Sequence, residues 1–235
     1  MAISSKNSYW GPSIVIDGLV LCLDAGNTKS YPGSGDTWYD ISGNGNHAEA
    51  NTVMPSFHSD GALSYFQFDG ATNECITQIS TDVVDIIDLF VITRFEFSGD
   101  TPNRMLLSKK GVDKSFRLKD GGIRNGNSSS NFETQNQTKT FVGLSTTSLF
   151  NPTNATGSGD GTAAYVIRDK WAFIRVTTTN ASFTSGILYE IGTSDATYNA
   201  TRNYDGKVNM VFAYDRELTT AEVLQNFNAL KGRFA

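Results

Sequence analysis

The sequence predicts an all-β protein in which two antiparallel sheets pack face to face and a single C-terminal helix closes the structure. Three observations predict it. Segments of alternating apolar and polar residues recur along the chain, the period-2 pattern of half-buried strands. Of the 235 residues, 39% are hydrophobic and 18% charged; polar and glycine-rich stretches separate the alternating segments, and long runs of helix-forming residues are missing. A full helix-start signal occurs in one stretch, near the C-terminus.

Residues 1–12 are mostly polar, with Tyr9 and Trp10 near their end, and read as an N-terminal arm. Those two rings either pack on the domain edge or dock on a neighbouring subunit. Residues 13–235 read as one domain, because the last three strands and the helix need the N-terminal strands to cover them. The first strand is Ser13–Asp24. Leu19, Leu21 and Leu23 share one face and Val20, Cys22 and Asp24 the other, so both faces are largely apolar and the strand belongs inside a two-layer structure. A loop with Pro32-Gly33 and Gly35 leads to Trp38-Tyr39-Asp40-Ile41, which runs into the turn-rich Ser42-Gly43-Asn44-Gly45-Asn46.

Ala62–Gly70 is a strand with Phe66 and Phe68 on one face, and Cys75–Ile79 is a short extended segment. Leu89–Phe97 is the expected sheet centre, with Leu89, Val91, Phe95 and Phe97 on one face. Met105–Ser108 and Ser115–Leu118 form a pair joined through 109–114. Residues 121–161 read as short strands with long surface loops. Trp171–Val176 and Ile187–Ile191 alternate clearly. In the closing strand Val208, Met210, Phe212 and Tyr214 fall on one face. Then Thr219 and Glu222 form a capping box, and Leu218 with Val223 a hydrophobic staple. Val223, Leu224, Phe227 and Leu230 make an apolar stripe, and Gly232 stands at the C-cap.

Composition and motifs exclude several functions. Net charge is −5 without a basic patch, which excludes nucleic-acid binding. No apolar run reaches membrane-spanning length, and the N-terminus lacks the apolar core of a secretory signal, so a protein folded in a cytoplasm is expected. Five Asn-x-Ser/Thr triplets are then matters of composition. Cys22 and Cys75 read as reduced core thiols, with a cross-strand disulfide as the alternative. The acids Glu96 and Glu190 each stand alone in a strand, without the paired carboxylates that glycoside hydrolysis uses. His47 and His58 fall in loop-like contexts without a nucleophile elbow. The chain is therefore expected not to be an enzyme.

Six segments, in order, carry a resemblance. They are Gly18–Ala25, Trp38–Asn46, Phe66–Gly70, Lys170–Val176, Tyr204–Val208 and Ala213–Val223. With them the chain resembles the concanavalin A-like lectin/glucanase superfamily, and more closely the laminin-G-like (pentraxin-like) domains of tailed-phage virion proteins. The resemblance implies a two-sheet antiparallel jelly-roll sandwich. It also implies a non-enzymatic virion structural protein, a surface decoration or fibre-like subunit in multiple copies that contacts capsid or tail proteins. A lectin-like module attaching to cell-surface glycan is the alternative, and a diverged glucanase the third.

Calcium is implied by relatives that bind it with loop residues near the first strand and an acid on the last. The corresponding oxygen-bearing residues here are Asp24, Asn27, Asp40, Asn44, Asn46 and Asp69, with Asn209 in place of the last-strand acid; the competing reading is that they bond their own turns. For glycan, the loop-end aromatics Tyr198, Tyr204 and Trp38 are the candidates, against a core role for Trp38.

Overall fold

The structure, a computed structural model, describes residues 13–50, 53–60, 63–70, 76–78, 88–96, 104–109, 115–119, 122–125, 138–143, 171–177, 189–192 and 203–234. The strands among them are β1 (Leu19–Asp24), β2 (Thr37–Trp38), β3 (Ala48–Ala50), β4 (Ser56–Asp60), β5 (Leu63–Asp69), β6 (Ile76–Gln78), β7 (Asp88–Phe95), β8 (Arg104–Lys109), β9 (Ser115–Lys119), β10 (Gly122–Asn125), β11 (Thr138–Gly143), β12 (Trp171–Thr177), β13 (Tyr189–Ile191) and β14 (Asp205–Tyr214). Helix α1 (Thr220–Leu230) follows and passes into a 3-10 turn, Lys231–Arg233. Two antiparallel sheets result. The first runs β11-β12-β7-β14-β5-β4, with β1 also on β14; the second runs β10-β9-β8-β13-β6-β3-β2. The all-β sandwich with one short C-terminal helix is as the sequence predicts.

Strand β14 organises the first sheet. Its Asp205–Val208 half pairs with β5, its Met210–Tyr214 half pairs with β1, and its other edge pairs with β7 throughout. Asn209 stands at the changeover, where the register against β7 shifts between Val208 and Met210. This bulge inserts one residue and reverses the alternation beyond it. Val208, Val211 and Ala213 therefore join the core between the sheets, whereas Met210, Phe212 and Tyr214 turn to the outer face. The expected single face for Val208, Met210, Phe212 and Tyr214 is corrected accordingly. A register shift between Leu19 and Leu21 does the same in β1: Leu21 and Leu23 face the inter-sheet core and Leu19 the outer one.

Two apolar cores follow. Between the sheets, Leu23, Phe66, Phe68, Val91 and Ile174 of the first sheet meet Trp38, Ile76, Leu106 and Ile191 of the second. On the outer face of the first sheet, Phe90, Phe173, Phe212 and Cys22 lie under Val223, Phe227 and Leu230 of the helix. Phe90 and Phe212 stack with centroids 4.9 Å apart, and Phe173 meets Phe227 edge-on at 5.9 Å. The helix covers a sheet face, not an edge or an end. Leu224 is exposed, and the buried helix face is completed by Asn226 instead. The capping box is present as expected. Gly232 is not a positive-φ cap, because the helix tightens into the 3-10 turn with Lys231 at the C-cap.

Gly206 permits a close crossing. Its φ is +150°, and a Cβ there would overlap the Arg94 carbonyl oxygen and lie 2.8 Å from the Tyr204 hydroxyl oxygen. Gly206→Ala is expected to cost about 2–4 kcal/mol in urea unfolding, from backbone strain plus overpacking. An unchanged midpoint would show that the strand accommodates a side chain at this crossing.

Candidate functional site

Most of the loop residues singled out from the sequence prove to be tied into the fold. Asp40 accepts from the Cys22 and Ser42 amides through one carboxylate oxygen and from the Asn46 amide and Ser42 hydroxyl through the other, all at 2.8–2.9 Å. Asn44 donates to the Leu19 carbonyl and Asn46 to that of Val20. The Ile41 amide donates to the Cys22 carbonyl. Together these groups cover the edge of β1 that faces away from β14. An uncovered edge would invite other strands to pair with it. Asn27 accepts from the Lys29 amide in its own turn.

Asp24 is taken by Arg233, through two hydrogen bonds of 2.7 and 2.9 Å. Asp69 lies on the outer face at the end of β5, opposite Asp205. Asn209 is fully buried; its Nδ2 donates to the Ser64 carbonyl at 2.7 Å, and its Oδ1 has no hydrogen-bond partner. Among the described residues no three His, Cys, Asp or Glu side chains gather as a metal site would need. Cys22 is a free buried thiol, pushed up in pKa by burial and then by Asp24 and Asp40. Cys75 lies outside the described residues.

Of the aromatic candidates, Trp38 takes the core role that was the competing reading, and Tyr204 is corrected. Trp38 and Tyr204 have no exposed surface. Trp38 packs on Phe66 at 4.7 Å, and Tyr204 packs on Phe68 while its hydroxyl bonds that of Thr93. Burial pushes the Tyr204 hydroxyl well above its ordinary pKa. Neither ring can offer a face to a ligand. Tyr198, Tyr9 and Trp10 lie outside the described residues. His58 stands in strand β4, not in a loop, and Glu190 is fully buried.

Three polar contacts, unforeseen in the sequence, fix the helix. Asp88 and Arg175 form a buried pair, with Nη2 at 2.6 Å and Nε at 2.8 and 3.0 Å from the carboxylate. The same pair holds both peptide groups of Leu218: its N–H donates to Asp88 and its carbonyl accepts from Arg175. The second contact is a closed ring. Asn226 Nδ2 donates to the Tyr214 hydroxyl, that hydroxyl donates to the Val15 carbonyl, and the Val15 amide donates to Asn226 Oδ1. The third is Arg233 on Asp24.

Among the described residues, the helix leaves the rest of the outer face uncovered. Register sets Ser56, Gln67, Lys207, Arg94 and Trp171 side by side across β4, β5, β14, β7 and β12. One step along, His58 stacks on Tyr65 at 5.3 Å and 16°. Tyr65 meets Trp171 at 5.9 Å, and Phe234 packs on Trp171 at 5.1 Å. The Lys207 ammonium lies 4.8 Å from the Tyr65 ring centre and 3.0 Å from Glu96. Arg94 Nε is 3.3 Å from Glu96 but misaligned, so that buried N–H makes no hydrogen bond. His58 is exposed and the other rings and charges of this band are half-buried. Half-buried rings beside fixed donors and acceptors suit a ligand that has both C–H faces and hydroxyl groups. The sequence signal was there: Tyr65 and Gln67 alternate with the core residues Phe66 and Phe68, and Lys207 precedes Val208.

No family model matches the chain, and no curated protein does. Solved structures match in fold. Domain 4 of AbnA, a GH43 extracellular arabinanase from Geobacillus stearothermophilus, in complex with arabinotriose, aligns with a TM-score of 0.54 and 11% identity over 89% of this chain and 98% of that one. Trypanosoma rangeli sialidase in complex with 2,3-difluoro-KDN aligns with a TM-score of 0.53 and 12% identity over 97% of this chain and 36% of that one. The chain spans about a third of the sialidase's length. These structural alignments show a shared β-sandwich fold. They also overturn the expectation that the chain is not an enzyme, since the matched folds come from glycosidases.

Proposed function

We propose that the chain is a carbohydrate-binding sandwich domain whose ligand lies on the outer face of the first sheet, over Trp171, Tyr65 and Arg94. One observation carries the reading: the band of rings and charges beside the helix, where the half-buried rings of Tyr65 and Trp171 adjoin Gln67, Lys207 and the Arg94 guanidinium. Sugar rings present C–H faces to an aromatic π-face and hydroxyls to guanidinium and amide groups. The fold of domain 4 of the arabinanase, solved with arabinotriose, supports the same reading. A glycan array followed by titration calorimetry tests it. Binding of at least one oligosaccharide is expected, weakened about tenfold or more by Trp171→Ala and by Arg94→Ala, each variant keeping its native circular dichroism. Binding that survives both substitutions would place the ligand elsewhere, and an array without a hit would remove the reading.

The setting belongs to the same proposal. The order of motifs from Gly18 to Val223, similar to that of tailed-phage laminin-G-like proteins, supports a virion surface subunit that engages cell-surface glycan. Mass spectrometry of purified particles is expected to find the chain in multiple copies.

A further inference from the structure

We infer that β4 is a self-association edge, on which a second copy of this chain pairs its own β4 antiparallel. The two edges at this side of the first sheet are treated differently. The free edge of β1 is covered by the Asp40–Asn46 segment through the hydrogen bonds given above. Strand β4 ends the sheet order, pairs with β5 alone, and exposes four of its five side chains. Among the described residues nothing pairs with its other edge.

Within its sequence, Ser56-Phe57-His58-Ser59-Asp60, the segment His58-Ser59-Asp60 is self-complementary in one register. An antiparallel pair centred on Ser59 sets His58 of each copy directly opposite Asp60 of the other. His58 and Asp60 stand two residues apart and share the outer face, so both His–Asp couples form on that face. A two-fold pair is the closed arrangement such a surface gives. The inner-face residue Phe57 stays packed against Tyr31 and Phe66, so pairing costs no core contact. His58 keeps its stack on Tyr65, which holds the imidazole upright for the partner's carboxylate. No glycan needs to be bound for this pairing.

Sedimentation equilibrium of the full chain with two charge variants tests it. The unaltered chain is expected to show a concentration-dependent rise toward twice the 25.6 kDa monomer mass. Asp60→Lys sets His58 against lysine, and His58→Glu sets glutamate against Asp60; each alone is expected to weaken self-association about tenfold or more. In a mixture of the two variants, the retained His58 of one copy faces the retained Asp60 of the other, and the introduced lysine faces the introduced glutamate. The heterodimer is therefore expected to recover. A chain that stays monomeric, a dimer indifferent to both substitutions, or a mixture that fails to recover would each overturn the β4 pairing.

Discussion

Asp88→Ala is expected to lower the unfolding free energy by about 3–5 kcal/mol, because it leaves the Arg175 guanidinium buried without its carboxylate. Asp88 is fully buried and Arg175 only 7% exposed, so water cannot take the missing place. A second variant separates the pair's own worth from its service to the backbone. Replacing both residues by apolar side chains of similar size removes the unpaired charge and is often neutral for an isolated ion pair. Here it is not expected to be neutral. The N–H and C=O of Leu218 both depend on this pair, and each buried peptide group left unbonded costs about 1–3 kcal/mol. The double variant should therefore recover only part of the loss. Urea unfolding of wild type, single and double variants checks it, and full recovery would show that the Leu218 bonds contribute nothing.

Phe227→Ala is the second large effect, at about 3–5 kcal/mol. The ring is 1% exposed and meets Phe173 edge-on above the outer face of the first sheet. Its removal opens a cavity between helix and sheet, whose spacing the Asp88–Arg175, Asn226–Tyr214 and Arg233–Asp24 contacts hold, so collapse is limited. Leu224→Ala, on the same helix but at an exposed position, is the control and is expected to stay within about 0.5 kcal/mol. Equal losses for the two would mean that the helix does not rest on the sheet through Phe227.

The residues show why some of this was legible in the sequence and some was not. The capping box of Thr219 and Glu222 is local, three residues apart, and appears as expected, with Glu222 held down to about pKa 2 by its Arg216 and Thr219 partners. The inward pair Phe66 and Phe68, and the alternation of Ala172, Phe173 and Ile174, are equally local and hold. What failed depends on distant partners. The bulge at Asn209 arises because β14 changes neighbours from β5 to β1, and no pattern within β14 records that change. The Asp88–Arg175 pair spans 87 positions. Strand β4 is an edge with mostly exposed side chains, so no apolar alternation marked it.

The candidate site shows the same division. Loop-end aromatics drew attention because sandwich ligands often sit at loops, yet Trp38 and Tyr204 fill the core. Tyr65 and Trp171 alternate with core residues along β5 and β12, where the placement of the helix decides which outer residues it leaves uncovered. Position along the chain does not reveal that placement.

The ring of hydrogen bonds joining Val15, Tyr214 and Asn226 also sets a timetable. The Val15 and Asn226 partners are separated by 211 positions, and among the described residues β1 pairs with β14 alone. At roughly 5–20 residues per second, a ribosome needs about 10–40 seconds between making Val15 and making Asn226. For that interval the nascent β1 segment, apolar on both faces, has no strand to join. Strand β1 therefore joins this sheet only once β14 has emerged, whereas the β4–β5 and β7–β12–β11 pairs do not wait for it, and a chaperone that shields the emerging Leu19–Leu23 segment has a defined period in which to act.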